Sequence, residues 1–226
     1  MRNIKKYTEE IIIYFKGELL LESKNSSLLL SQLLFSLLIV LLFSFAFSFF
    51  PATFSLFFIA TYWITTILSS SLFLQKTSLQ ENTDNYLIRI LLTPISASSI
   101  FWGKFLFHSL FILFTQLWIF LLLKLLSPSF FLPNSFFLVA VLVTVGISAL
   151  GTLITSITGK VSANSLLFPL LFFPLLIPLF FAALSLTSEM IEYSEVSFDW
   201  LKLLVAFDAI YLLLSSFLFP FILDSE

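Results

Sequence analysis

Apolar runs long enough to cross a lipid bilayer recur six times along this chain, at about 27–49, 51–74, 99–126, 134–157, 165–187 and 200–223. A helix needs about 20 mostly apolar residues to span hydrocarbon, and only a helix or a closed barrel of much shorter strands satisfies its own backbone there. Six runs of this length predict an all-α polytopic membrane protein. Composition supports the reading: 11% of residues are charged and mean hydropathy is +1.08, whereas soluble domains carry roughly a quarter charged residues. A water-soluble fold is therefore excluded. The chain has no cysteine, which removes disulfides, thiol relays, Cys-ligated metals and the C-x-x-C-H haem attachment. A net charge of −2 with scattered basic residues leaves no footprint for nucleic acid.

Residues 1–26 are charged, and the apolar run that follows is longer than the roughly 7–15 residues of a signal-peptide core, so no cleavable signal is expected. This stretch forms an N-terminal unit and 27–226 the six-span domain. Ile4, Tyr7, Ile11, Tyr14 or Phe15, and Leu21 fall at three- and four-residue spacing, opposite Lys5, Glu9, Lys16 and Lys24. The pattern predicts a helix lying in the membrane interface with its apolar stripe in lipid; the alternative is an amphipathic leader that only anchors. Pro51 leaves almost no connection between spans one and two, and Ser127-Pro128 and Pro133-Asn134 punctuate the turn between spans three and four.

Orientation follows from the basic residues near span ends, which are retained on the cytoplasmic side. With the N-terminus inside, the inner segments hold Arg2, Lys5, Lys6, Lys16, Lys24, Lys76, Arg89, Lys104 and Lys160, and the outer connections hold only Lys124 and Lys202. Both termini are thus expected in the cytoplasm. The connection before the last span is acidic, with Glu189, Glu192, Glu195 and Asp199, and acidic residues hardly affect the rule.

Among the inner segments, 75–98 is the most informative. Leu87, Ile90 and Leu91 stand at i, i+3 and i+4, so a short amphipathic helix can lie along the membrane surface before Pro94 ends it. Such a helix can dock on a cytoplasmic partner or simply be solvated.

Polar residues inside the spans are few. Lys104 and His108 lie one turn apart on one face of span three, and His108 reads either as a haem contact or proton-responsive group or as a polar residue bonded between helices. Asp208 sits eight residues after Trp200, about 12 Å along a helix and so near the midplane, where a carboxylate should face protein or a water-filled cavity. Gly146, Ala149, Thr152, Ser156 and Gly159 form a small-residue stripe on span four, and Thr61, Thr65 and Ser69 another on span two; each allows close helix approach, within the subunit or between subunits. Pro169, Pro174 and Pro178 lie in span five, which should be kinked or broken.

Catalytic chemistry is scarce. Gly103-Lys104 and Gly159-Lys160 lack the upstream glycine loop of a phosphate-binding G-x-x-x-x-G-K-[ST], so any ATP hydrolysis belongs on another polypeptide. One histidine cannot build a multi-His metal site, and neither Gly-x-Gly-Asp nor His-Glu-x-x-His occurs. The chain is read as no enzyme, with no catalytic or metal residues.

Trp63, Leu68-Ser69-Ser70, the charged loop, Leu87, Leu91-Leu92, Pro94, Gly103-Lys104 and His108, taken in order, resemble the haem exporter protein B family, permease subunits of the ABC-type complex for cytochrome c maturation. Pro174-Leu175-Leu176-Ile177-Pro178 is similar to that family's P-L-x-I-P run, and Lys16-Gly17-Glu18-Leu19 to its charged entry helix. Where relatives carry a Glu-Arg pair, a Phe and a Gly in the loop, this chain has Gln75-Lys76, Ser78 and Asn85, and Asn tolerates the left-handed conformation that Gly would supply. The resemblance implies an ABC-2-like permease with an N-terminal elbow helix, six spans and a coupling helix that fits an ATPase cleft, with Glu81, Asp84 and Arg89 as contacts. It implies a haem-export or haem-delivery task at the bacterial inner membrane or, as second choice, the mitochondrial one. The partners implied are an ABC ATPase subunit that holds ATP, other cytochrome c maturation subunits, membrane lipid and a second copy of the chain. Haem is then the substrate of the complex, and no cofactor is assigned to this chain. An ABC-2 exporter of a lipid, polysaccharide or drug, and a non-transporting scaffold, remain the competing readings.

Overall fold

The computed structural model describes residues 2–24, 27–47, 54–83, 95–126, 133–160, 166–192 and 198–224. Through them run seven helices: α1 (Arg2–Lys24), α2 (Ser27–Phe47), α3 (Phe54–Thr83), α4 (Ala97–Leu126), α5 (Ser135–Lys160), α6 (Leu167–Glu192) and α7 (Phe198–Asp224). Helices α2 to α7 each hold a stretch long and apolar enough to cross a membrane, so the chain is a multi-pass membrane protein, and no strand occurs among the described residues.

Small residues decide which helices lie at the centre. Burial covers 72% of the apolar window of α3 and 67% of that of α5, against 28–33% for the other four. Lipid is as apolar as leucine, so helices associate through packing and interhelical hydrogen bonds, and both favour Gly, Ala, Ser and Thr. The two central helices are the ones rich in these residues. The peripheral α2 inverts a soluble pattern: Gln32, Ser36 and Val40 are buried, and Leu34, Leu38, Leu42 and Phe45 are exposed.

The helices alternate in direction. The end of α3 meets the start of α4 and the end of α5 where Lys104 Nζ reaches Glu81 and Ser156. At the opposite end Phe47 of α2 stacks on Phe57 of α3 with centroids 3.7 Å apart, and Trp200 of α7 donates to Glu189 of α6 at 3.1 Å. Before α5, the amides of Phe136 and Phe137 donate to Pro133 and Asn134 carbonyls, a turn that Pro133-Asn134 punctuates as expected.

Two expectations need correction and a third is narrowed. Span two was expected to end near 74, yet α3 continues to Thr83. Hydropathy reports where a helix leaves hydrocarbon, not where it stops, and Thr77 and Ser78 are buried against the protein, Ser78 bonding Thr158 Oγ1 at 2.7 Å. The stripe of α1 was expected in lipid, but Tyr14, Phe15 and Leu19 pack on the bundle core, while Leu21, Ile12, Ile13 and Leu20 are exposed. Of the two forms expected for span five, kinked or broken, the break is absent, because α6 is continuous through Pro174 and Pro178. Pro169 falls in the first turn, where a missing N–H costs nothing, and the carbonyl of Leu175, between the two inner prolines, accepts the Tyr211 hydroxyl of α7. The last helix carries a further proline, Pro220, near which Lys160 donates to the Ile222 carbonyl, supplying a cation to an end where helix carbonyls lack partners. The amphipathic stretch 87–91 lies outside the described residues.

Candidate functional site

Polar side chains concentrate at the end of the bundle where α2 and α4 start and α3, α5 and α7 finish. Helix N-termini leave four amides unbonded and carry a partial positive charge, which a carboxylate can satisfy. Helix α1 supplies two. Glu22 accepts from the Leu29 amide at 3.0 Å and so caps α2; burial pushes its carboxyl above the usual range, opposed by the hydrogen bonds of Leu29 and Leu28. Glu10 accepts from the Ser96 amide at 3.2 Å, the Ser96 hydroxyl at 3.1 Å and the Ser99 hydroxyl at 2.9 Å. Ser96 in turn accepts from the Ser99 amide at 3.3 Å, the pattern of an N-cap. The Ser96 amide, followed by the Ser99 hydroxyl, holds the Glu10 carboxyl below its usual range.

Two turns into α4, Gly103 brings α1 and α4 together: a Cβ there would stand 2.5 Å from Tyr14 Cδ1, a contact that only glycine permits. Its neighbour Lys104 is buried and donates to Glu81 Oε2 at 2.8 Å and Ser156 Oγ at 3.3 Å. The Phe219 ring of α7 lies 5.6 Å from its ammonium, within cation–π range. Four helices therefore meet around one cation. Glu81, a candidate ATPase contact, is tied into this group with 10% of its side chain exposed; Asp84 and Arg89 lie outside the described residues.

Deeper along the seam of α4 and α5, polar pairs follow one another. His108 Nδ1 stands 2.9 Å from Thr152 Oγ1. Because the Thr152 hydroxyl donates to the Ser148 carbonyl at 2.7 Å, it accepts from Nδ1–H of the ring. The ring has no exposed surface and stands edge-on to Phe73 at 5.7 Å. Ser109 donates to Ser148 Oγ at 2.8 Å and Thr144 to Gln116 Oε1 at 3.1 Å.

The stripe on α5 divides among neighbours of the same subunit. Thr152 and Ser156 face α4, Gly159 stands beside Ser78 and Glu81 of α3, and Gly146 faces Asp208 and Leu179; Ala149 is fully buried. Asp208 is 4% exposed, and a Cβ on Gly146 would come 2.4 Å from its Oδ1. Neither oxygen has a hydrogen-bond partner among the described residues. On α3, Thr61, Thr65 and Ser69 are all buried. Residues that sequence reasoning passed over are Glu10 and Glu22, whose partners are backbone amides, and Thr187, which accepts the Trp63 indole N–H at 3.0 Å across 124 positions.

No described group of three or more His, Asp or Glu side chains could hold a metal ion. What the arrangement offers is mechanical: polar contacts that fix how α1, α3, α4, α5 and α7 meet at one end. A family model described as CcmB protein matches residues 10–225. A search of curated proteins finds no match to this chain.

Proposed function

Since the chain belongs to the CcmB protein family, which makes it a permease-type membrane component of haem export in cytochrome c maturation rather than an enzyme in itself, we propose that it is the membrane half of an ATP-driven ABC-type exporter. ATP is held and hydrolysed by a separate subunit, and the segment 75–98 receives that subunit's movement. Haem, or haem in transit to the c-type cytochromes, is the cargo of the complex. Other maturation subunits and a second copy of the chain complete the assembly. The observation that carries this reading is the concentration of polar anchors, Glu10, Glu81 and the buried Lys104, on either side of residues 84–94. Coupling needs an element biased by both sites, and a connection fastened at both ends can serve as one.

The distribution of nine basic residues against two supports a cytoplasmic position for this end, and membership of the family supports a bacterial inner membrane. Affinity purification of the tagged chain in mild detergent tests the reading. An ATPase and haem-assembly subunits should copurify; recovery of an ATPase with lipid- or drug-handling partners, or of no ATPase, contradicts it. An ATPase-dead complex should fail to support cytochrome c assembly, whereas a scaffold would still support it.

A further inference from the structure

Residues 84–94 join the end of α3 to the start of α4, and each end of this connection is fastened by one carboxylate. On the α3 side Glu81 reaches across to Lys104 at 2.8 Å. On the α4 side Glu10 holds the N-cap Ser96 and the first-turn Ser99 at 2.9–3.2 Å. Lys104 and Ser99 belong to one helix, α4, and lie five residues apart, about 7.5 Å along its axis. Both fastenings thus bear on the first turns of α4, one from α3 and one from α1.

Resting on the coupling reading above, we propose that α4 is the transmitting element of the permease and that Glu81–Lys104 and Glu10–Ser96/Ser99 are its two latches. A displacement of the chain between 83 and 95 can act on α3, α4 or the two independently. With the ion pair in place, the end of α3 cannot leave α4 without taking the carboxylate from a lysine whose side chain is 4% exposed, and breaking a buried ion pair is strongly unfavourable. With Glu10 in place, the start of α4 cannot tilt without carrying α1 along, because Tyr14 fills the space that a Cβ on Gly103 would need. The end of α3 and helix α1 are therefore both geared to the start of α4. The seam of α4 with α5, through Ser156, Thr152 and Ser148, receives the motion. Glu81, Lys104 and Glu10 are positioning residues on this account; none needs to touch ATP or cargo.

The chain has no cysteine, so nitroxides can be placed at Leu110 of α4 and Leu175 of α6, both about half exposed. Their distance is measured by pulsed dipolar spectroscopy in the whole complex, nucleotide-free and vanadate-trapped. Wild type should show a nucleotide-dependent shift. In the assembled complex, Glu10→Gln with Glu81→Gln should lose at least half of that shift. Glu81→Gln alone should lose part of it, and the exchange Glu81→Lys with Lys104→Glu should restore that part, which a loss of folding could not do. A full shift with both latches neutralised, no restoration by the exchange, or a wild-type complex that hydrolyses ATP without moving α4 would each overturn the proposal. Absence of an ATPase from every preparation, wild type included, refutes the permease reading itself.

Discussion

Replacing Gly146 by alanine puts a methyl group 2.4 Å from Asp208 Oδ1 and 2.8 and 3.1 Å from the two methyls of Leu179. Carbon–oxygen contacts settle at roughly 3.3 Å, so the carboxylate must retreat by about 0.9 Å or α5 and α7 must separate by that much. Leu179 can turn to another rotamer, but Asp208 is 4% exposed and has little slack. Overpacking of a well-packed site costs about 1–3 kcal/mol. In lipid no hydrophobic term draws the helices back together, and a gap of half to one ångström forfeits a quarter to a half of each dispersion contact along the seam. At tenfold per 1.4 kcal/mol the ratio of folded to unfolded protein falls roughly five- to a hundredfold. A reversible titration with sodium dodecyl sulfate in mixed micelles, followed by tryptophan fluorescence, reads the loss as a lower midpoint. Gly146→Ala introduced into Asp208→Ala should cost less than in wild type, since the obstructing oxygen is gone, and neighbours that share a contact are non-additive. An unchanged midpoint for Gly146→Ala, or the same cost with and without the Asp208 carboxylate, would refute the reasoning.

Thr187→Val keeps the side-chain shape but strands the buried indole N–H of Trp63; it should cost about 1–3 kcal/mol in the same titration, whereas Ser216→Ala, at an exposed hydroxyl, should cost almost nothing. The Glu10 carboxyl lies below its ordinary 4.5, chiefly through the Ser96 amide. A depressed acid contributes docking that is complete above its unfolded value and lost as pH falls through its folded value. An environment-sensitive dye at Ile13 should therefore report release of α1 on acidification below 4.5, and Glu10→Gln should remove that acid step. Asp208→Asn should assemble as wild type does and Asp208→Leu should not, read by copurification; loss of cytochrome c assembly in a fully assembled Asn variant would instead assign a direct role to the ionisable group. Single cysteines at Asn82 and Glu192 should label from opposite sides of the membrane, and labelling of Asn82 by an impermeant outer reagent would reverse the orientation.

The six spans were legible because a bilayer imposes one length and one composition on every helix that crosses it; starts and ends fall within a few residues for all but two boundaries. The end of α3 was misplaced because Gln75, Lys76, Thr77 and Ser78 read as a solvated loop. They are the polar continuation of a helix in which the Ser78 hydroxyl finds partners on α5 and that of Thr77 bonds the Phe73 carbonyl one turn back, and a one-dimensional pattern cannot show a partner 77 positions away. The face of α1 was misassigned for a related reason. Ile12, Ile13, Leu20 and Leu21 make a second apolar face, and periodicity alone does not say which of two faces meets protein. Lys104 and Asp208 stood out in the sequence because charge inside a span is costly. Their surroundings did not: the Glu81 partner lies 23 positions from Lys104, across a connection whose length sets no register, and the Gly146 cradle belongs to another helix. Glu10 and Glu22 were invisible as caps because they bond the backbone of helices other than their own.

The central claim, that an ATPase acts on this permease through the connection between α3 and α4, is tested most directly by placing a photo-crosslinking residue at position 89 of the intact complex. The account predicts a covalent adduct with the ATPase subunit from position 89 and none from position 192. An ATPase that copurifies yet forms its adduct from 192, or from neither position, would contradict it.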